Sequence, residues 1–136
     1  MAWKITQFLV VGLIIKFTAA QHDSNTRTGF FNLPVDHFST TDRRTWDIRY
    51  FINEQHYREN GAIFIYVNDG PASDQLIQEG NMFEVAIEEG AVLISLEQRY
   101  FGQSFPTPDA SFENLQWLTV HQSVADVARF ANFMRQ

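Results

Sequence analysis

A short polar loop directly after an apolar segment is the first place where this sequence could do chemistry. Ala62 to Val67 is apolar on both faces, and Asn68-Asp69-Gly70-Pro71 follows it. This pattern predicts a buried strand that ends in a glycine-containing loop. Backbone N–H groups just past the carboxyl end of a parallel strand can stabilise an oxygen that becomes negative during acyl transfer. We therefore predict an oxyanion-stabilising and substrate-binding site at Asn68, Asp69 and Gly70. The alternative is an Asx-type turn, in which Asp69 and Gly70 serve only the backbone geometry.

A second polar cluster, Glu97, Arg99 and Tyr100, ends the next apolar segment. Ala91 to Glu97 predicts another buried strand, so the charged side chains would lie at its carboxyl end. A buried pair of opposite charges in such a position more often organises a loop than takes part in a reaction. We expect Glu97 and Arg99 to pair with each other or with a later catalytic turn, and all three residues to organise the loop.

No segment of the sequence has the pattern of a catalytic nucleophile. A GxSxG-like elbow is absent, and Ser104 follows Gly102-Gln103 without the second glycine that such a turn needs. We therefore assign Ser104 to a loop. His37 and His121 have no predicted nucleophile within hydrogen-bond reach, so we interpret both as structural or surface residues. Neither HExxH nor CxxC occurs, and the sequence therefore does not support a metal site.

The segments around these candidates predict an α/β arrangement. Between the two buried strands, a short helical turn at 74–80 precedes a helix from Met82 to Glu89, which Asn81 would cap and Gly90 would end. Strand, helix and strand in this order form one βαβ unit, so the two strands should run parallel with a right-handed crossover. Thr45 to Asn53 alternates apolar and polar residues and predicts a strand with one buried face.

The flanking segments carry weaker signals. Gln21 to Gly29 is polar and is predicted to be irregular, and Asn32 to Phe38 suits an extended edge segment because it contains Pro34. Near the other end, Thr119 and Gln122 predict a capping box at a helix start. The apolar face of that helix would consist of Val120, Val124, Val127, Ala128, Ala131 and Met134.

Residues 1–20 predict a secretory signal peptide. Lys4 precedes the apolar run Phe8 to Ile15, and Thr18-Ala19-Ala20 suits cleavage before Gln21. An uncleaved membrane anchor is the alternative, but the apolar run is shorter than the about 20 residues that a span requires. We expect a secreted or lysosomal protein with no membrane attachment after cleavage.

The charge and cysteine content of residues 21–136 exclude some classes of function and fold. This part carries 8 Arg and 16 Asp plus Glu, so its formal charge is 8 − 16 = −8. An acidic surface repels phosphate backbones, so nucleic acid is not an expected partner. The chain has no cysteine, and core packing rather than disulfide bonds must therefore hold it.

Five sequence blocks stand in a fixed order along the chain. They are Val35-Asp36-His37-Phe38, Thr45-Trp46 with Arg49-Tyr50-Phe51, Val67 to Pro71, Leu96 to Ser104, and Glu113 to Thr119. Together these blocks resemble the N-terminal part of the serine peptidase family that includes lysosomal prolyl carboxypeptidase, dipeptidyl peptidase II and thymus-specific serine protease. The resemblance covers roughly residues 30 to 136. Each block alone is a weak signal, whereas the order of all five is specific.

The resemblance implies the N-terminal portion of an α/β-hydrolase fold, with an incomplete sheet and flanking helices at 21–136. It implies peptide substrates, no cofactor, and a catalytic serine, aspartate and histidine that all follow the present sequence. By analogy with the Asn-Gly-Gly-Pro loop of serine carboxypeptidases, Gly70 would donate to the oxyanion and Asn68 would help to hold a substrate carboxylate. Asp69 departs from the glycine or glutamate of many relatives, and Gln98 stands where histidine is usual.

Two functions remain open at this point. The first is a secreted serine exopeptidase, of prolyl carboxypeptidase or dipeptidyl peptidase type, of which this chain is a fragment without the triad. The second is a non-catalytic, truncated secreted homologue that acts, if at all, by binding. In either case we expect an exposed apolar helix face and an unpaired strand edge. The sequence decides neither the exopeptidase specificity nor the oligomeric state.

Overall fold

A computed structural model describes residues 25–136. The described chain forms one four-stranded sheet in the order β1-β2-β4-β3, with a helix on each face. The strands are β1 (Thr26–Pro34), β2 (Thr45–Asn53), β3 (Ile63–Val67) and β4 (Val92–Leu96). The helices are α1 (Asn81–Glu89) and α2 (Val120–Met134), with short 3-10 turns at Gln75–Ile77 and Asn114–Trp117. The predicted signal peptide at 1–20 lies outside the described residues.

The parallel pair β3–β4 confirms the predicted βαβ unit. The two strands align from Ile63 opposite Val92 to Val67 opposite Leu96, with α1 between them in the chain. All five residues of β4 are buried, since this strand has a neighbour on each side and a helix over each face. The strand before the polar loop packs on both faces, through Ile63 and Ile65 on one and Phe64 on the other, but it is less buried than predicted. Residues of β3 are only half-buried or exposed, because β3 is an edge strand of the described sheet.

The antiparallel hairpin β1–β2 starts earlier than its sequence indicates. Thr45–Asn53 forms a strand as predicted, and Trp46, Ile48 and Ile52 on one of its faces are buried. Residues 26–29, which were predicted to be irregular, instead continue β1 and pair with the end of β2. The error arose because this polar segment is held by cross-strand hydrogen bonds rather than by its own burial.

Two apolar clusters lie on opposite faces of the sheet. Ile94 and Leu96 of β4 pack with α2 through Phe130, whereas Leu93 packs with α1 through Ala86. Alternate residues of one strand point to opposite faces, which is why β4 serves both clusters. No helix within residues 25–136 has the length and apolar content needed to cross a membrane.

The helix ends match the predictions in part. Gly90 ends α1 in the left-handed conformation, as expected (φ 64°, ψ 39°), but the N-cap is Gly80 rather than Asn81 and supplies no side-chain bond. Thr119 caps α2 by accepting a hydrogen bond from the Gln122 N–H at 3.2 Å. The Gln122 side chain does not complete the capping box, because it contacts the segment after β1 instead.

The buried face of α2 differs from its predicted apolar face. Gln122, Asp126 and Phe130 are the buried residues of this helix, whereas Val120 and Val124 are 76% and 62% exposed. The exposed valines belong to the predicted apolar face and line an apolar cavity beside Val67 of β3, whereas Val127 and Met134 of the same predicted face pack against the core. Two polar residues occupy the buried face because each has hydrogen-bond partners there, which apolar periodicity does not reveal.

Candidate oxyanion site

The carboxyl ends of the parallel strands bring the two predicted polar clusters together. β3 ends at Val67 and β4 ends at Leu96, so the loop after each strand emerges at the same edge of the sheet. The Asn68 N–H donates to the Leu96 carbonyl at 3.1 Å, and the Ala72 N–H donates to Glu97 Oε1 at 2.8 Å. The loop at 68–72, which we call the oxyanion loop, is therefore attached to the end of β4 at both of its ends.

Asn68 anchors this loop rather than facing a substrate. Its side chain is buried, and Nδ2 donates to Ser95 Oγ at 2.8 Å and to the Leu96 carbonyl at 2.9 Å. Both amide hydrogens are thus used inside the protein. The structure therefore shows Asn68 as an anchor of the loop, and its contact with a substrate carboxylate stays a prediction.

Gly70 is half-buried and lies beside open space. The hydrogen bonds within residues 25–136 leave its N–H without a partner. A Cβ atom added at Gly70 would meet no atom within 4 Å, and Gly70 is not among the residues with positive φ. A turn that needed glycine for its backbone geometry would show a positive φ or a close contact. Neither backbone conformation nor a close contact therefore requires glycine at position 70, and the oxyanion role of Gly70 stays a prediction.

Asp69 stands next to this donor and is exposed. No hydrogen bond or ion pair joins its carboxylate to any other residue in the described part of the chain. A carboxylate beside an oxyanion site opposes the charge that develops there. Its exposure to solvent reduces that effect, because water screens the interaction.

Glu97 is fully buried and accepts hydrogen bonds from three separate segments. Arg49 of β2 donates from Nη2 to Oε1 at 2.5 Å and from Nε to Oε2 at 3.2 Å. The Ala72 N–H adds a bond to Oε1, and Oε2 also accepts from the Gln103 N–H at 2.9 Å and the Ser104 hydroxyl at 2.8 Å. Burial acts to raise the pKa of Glu97, but the bonds from Arg49, Ala72, Gln103 and Ser104 together hold it below its ordinary value.

Arg99 does not pair with Glu97, contrary to one of the two predicted pairings. Its guanidinium turns away from Glu97 and forms a bidentate pair with Asp126 of α2. Glu97 directly follows β4 and stays beside β2, where its N–H donates to the Arg49 carbonyl at 3.0 Å. Two residues later the chain has left the sheet, and the long Arg99 side chain is buried between β4 and α2.

Arg99 also ties down the segment after β1. Its Nη1 donates to the carbonyls of Val35 at 3.2 Å and Trp117 at 2.8 Å. The His37 side chain is buried, and its Nε2 lies 2.5 Å from Asp126 Oδ1. His37 therefore holds a structural position, as expected. His121 is exposed on α2.

Tyr100 and Gly102 shape the turn that follows. Tyr100 is buried in the left-handed region at φ 67°, and its N–H donates to the Ser104 carbonyl at 2.7 Å. Its hydroxyl donates to the Asn114 carbonyl and accepts from Thr107 Oγ1. Gly102 has φ 52°, and a Cβ atom there would overlap Glu97 Oε1. The hydrogen bonds of Tyr100 join it to residues 104, 107 and 114 of the connection that follows β4.

Sequence reasoning missed Arg49 and Asp126, which are the charged partners of Glu97 and Arg99. Both lie in elements that were predicted, β2 and α2, but neither was singled out as a charged partner. A usable signal for Asp126 is its spacing from Gln122 and Phe130, because residues four apart share one helix face. Arg49 carried no comparable signal, since a charged residue on the second face of a half-buried strand is common.

The described residues offer an unbonded backbone N–H at Gly70 but no activated nucleophile. No serine hydroxyl within 25–136 is hydrogen-bonded to a histidine, and Ser104 is fully buried between Glu97 and the Arg49 N–H. In the same range no group of three His, Asp or Glu side chains is placed to hold a metal ion. What the arrangement can supply is a positioned backbone N–H at the carboxyl edge of a parallel strand pair.

Comparison with known proteins gives the family context of this arrangement. The model of the family described as Serine carboxypeptidase S28 matches residues 33–136. Among curated proteins, the Caenorhabditis elegans protein named serine protease F56F10.1 is 37% identical over 109 residues, or 78% of this chain and 20% of that protein. The "Probable extracellular serine carboxypeptidase" of Arthroderma benhamiae is 32% identical over 109 residues, or 73% of this chain and 15% of that protein.

Lysosomal Pro-X carboxypeptidase of Mus musculus is 33% identical over 112 residues, which cover 79% of this chain and 23% of that enzyme. The chain thus spans about a fifth of the length of the curated relatives that it matches. The family match extends over both polar clusters, from the last two residues of β1 to position 136, just past the end of α2. The chain belongs to the serine carboxypeptidase S28 family.

Proposed function

We propose that this chain is the N-terminal part of a serine exopeptidase with an α/β-hydrolase fold, and that Gly70 donates its N–H to the oxyanion. The single observation that carries the proposal is the unpartnered Gly70 N–H beside open space, at the carboxyl end of a parallel strand. Membership of a serine carboxypeptidase family supports the reaction class. The strand order and the parallel pair support the fold, since such sheets bind ligands outside the carboxyl ends of their strands.

In the proposed reaction a serine hydroxyl attacks the carbonyl of a peptide bond. The proton passes to a histidine, and the carbonyl oxygen becomes negative in the tetrahedral intermediate. The Gly70 N–H would hydrogen-bond this oxygen more strongly than the neutral carbonyl, which lowers the barrier. A donor of this kind contributes about 3 to 4 kcal/mol. The serine, histidine and aspartate would come from elsewhere in the full-length protein.

The proposed substrates are peptides cleaved near one end, at a bond next to proline. The name of the mouse relative, lysosomal Pro-X carboxypeptidase, supports this class over internal cleavage. Relatives named lysosomal or extracellular also support our proposal that residues 1–20 are a signal peptide and that the protein is secreted or lysosomal. Cleavage of this type needs no cofactor.

The test is active-site labelling of the full-length protein with a fluorophosphonate, together with product analysis on peptides that carry proline next to the last residue. We expect one labelled serine outside residues 25–136 and release of the C-terminal residue. Release of an N-terminal dipeptide instead would keep the reaction class and correct the specificity. A correctly folded protein that takes no label and releases no product would contradict the proposed enzyme and favour a binding role.

A further inference from the structure

We propose that Glu97 is a positioning residue that holds the oxyanion loop in place through the Ala72 N–H. This inference rests on the proposed function, because it concerns the donor Gly70. Glu97 has no exposed surface and cannot touch a substrate itself. Its effect on the reaction would therefore pass through the backbone that it binds.

The oxyanion loop has one anchor on each side of Gly70. Two residues before it, Asn68 is bonded to Ser95 and Leu96 of β4 through its backbone and side chain. Two residues after it, the Ala72 N–H is bonded to Glu97. Between these anchors, Asp69, Gly70 and Pro71 make no hydrogen bond to other residues of the described chain. Loss of the second anchor would leave the Gly70 amide attached on one side only.

The charge on Glu97 is costly to bury, and it is compensated by hydrogen-bond donors and by an opposite charge. Each oxygen accepts at least two hydrogen bonds, and Arg49 supplies the opposite charge. A buried ion pair is rarely the most stable solution for a core, since apolar residues of similar volume often do as well. A carboxylate offers what an apolar side chain lacks, namely acceptors that fix three backbone segments in one geometry. We infer that this geometry is the reason for the buried charge.

The turn at 102–104 is built around the same carboxylate. Gly102 leaves space for Glu97 Oε1 that any Cβ atom would fill, and Gln103 and Ser104 donate to Oε2. Glu97 therefore connects three segments. Oε1 is bonded to the oxyanion loop and Oε2 to the turn at 102–104, and Arg49 of β2 is bonded to both oxygens. A misplacement of about 1 Å in a catalytic group can lower a rate about 100-fold, so support of this kind is expected to matter for kcat.

The first experiment compares Glu97→Gln with wild type in the full-length protein. The amide keeps one acceptor oxygen and has an N–H donor in place of the other, so it cannot accept from both the Ala72 N–H and the Gln103 N–H, and the side-chain volume is unchanged. We expect kcat to fall about 10- to 100-fold with KM changed less than about 3-fold. The amide of Ala72 or Gln103, each of which is hydrogen-bonded to Glu97, should exchange with deuterium at least about 10-fold faster, while those of α2 stay unchanged.

The matched control is Glu54→Gln, which removes a carboxylate that pairs with Arg27 and lies at the end of β2 away from the loop. It should change neither kcat nor the exchange of Ala72. Should Glu97→Gln fail to fold, an amide-to-ester replacement at Ala72, introduced by nonsense suppression, removes the donor alone and leaves Glu97 intact. The ester should reproduce the fall in kcat.

An Ala72 ester with wild-type kcat would overturn the proposal, as would unchanged exchange at both Ala72 and Gln103 in the folded Glu97→Gln protein. These outcomes are separable from failure of the proposed function. If the wild-type protein proves inactive, the exchange measurement still decides whether Glu97 holds the loop. If the wild-type protein is active and the exchange is unchanged, the peptidase assignment stands and only the role of Glu97 is lost.

Discussion

Asp126 of α2 and Arg99, three residues past β4, form a bidentate ion pair inside the protein. Arg99 Nε lies 2.6 Å from Oδ2 and Arg99 Nη2 lies 2.7 Å from Oδ1, and both side chains are buried. The pair joins the helix to the sheet edge that carries the candidate site. His37 contacts the same carboxylate and adds the segment after β1 to the cluster. The position of α2 relative to the oxyanion loop therefore depends on charged contacts as well as on Phe130.

Replacing Asp126 with alanine should be strongly destabilising. The substitution leaves the Arg99 guanidinium buried without its counter-charge, which costs about 3 to 5 kcal/mol. Urea unfolding followed by circular dichroism measures the loss. The control is Glu54→Gln at the exposed pair with Arg27, where we expect less than about 1 kcal/mol. Similar losses for the two variants would contradict the structural role of the Arg99–Asp126 pair.

Gly70→Pro and Gly70→Ala separate the backbone donor from the side chain. Proline removes the N–H, so kcat of the full-length enzyme should fall about 100- to 1,000-fold. Alanine keeps the N–H and meets no atom within 4 Å, so folding and labelling by a fluorophosphonate should be retained. Steady-state kinetics of the two variants on a peptide that carries proline next to its last residue give the comparison. A Gly70→Pro enzyme that folds and keeps wild-type kcat would exclude Gly70 as the oxyanion donor.

Gly102→Ala should destabilise the protein more than Gly80→Ala does. Both glycines have positive φ, 52° at Gly102 and 89° at Gly80, so alanine at either is strained by about 1 to 3 kcal/mol. Only at Gly102 would the new Cβ also overlap a side chain, that of Glu97. Thermal unfolding of the two variants measures the difference, and equal melting temperatures would show that Glu97 moves away without cost.

Acid should loosen the Glu97 network only at low pH. The pKa of Glu97 lies below its ordinary value of 4.5 in the folded protein, so folding favours the ionised form. The stabilisation is fully present above about pH 4.5 and is lost as pH falls through the lowered folded-state pKa. Unfolding free energies measured between pH 7 and pH 3 should therefore decline below about pH 4.5. The decline should be smaller in Glu97→Gln, and an identical pH profile would contradict the prediction.

Thr119→Ala should remove the N-cap of α2. The Thr119 side chain accepts the Gln122 N–H, and loss of such a cap costs about 0.5 to 2 kcal/mol. Thr119→Ser keeps the hydroxyl and should stay close to wild type. Denaturant unfolding of both variants checks the prediction, and equal losses for alanine and serine would show that the hydroxyl does not act as the cap.

Local sequence patterns determined the elements and the location of the candidate site. The alternation in Thr45–Asn53, the apolar segment that became β4 and the left-handed Gly90 each depend on residues within one element. Backbone geometry and side-chain periodicity act over a few residues, so a sequence shows them directly. The same holds for the oxyanion loop, because the carboxyl ends of two parallel strands must meet at one edge of the sheet.

Tertiary structure alone decided the partners of the charged residues. Glu97 pairs with Arg49, which is 48 residues away, and Arg99 pairs with Asp126, which is 27 residues away. It also decided that α2 buries Asp126 instead of Val124, and that residues 26–29 form a strand. A buried charge or a polar strand is stabilised by what lies opposite it in space, and that neighbour is set by the packing of whole elements. Local patterns carry no record of this, which is why the sequence placed Gly70 and Glu97 just past two strand ends but did not reveal Arg49 and Asp126 as the charged partners.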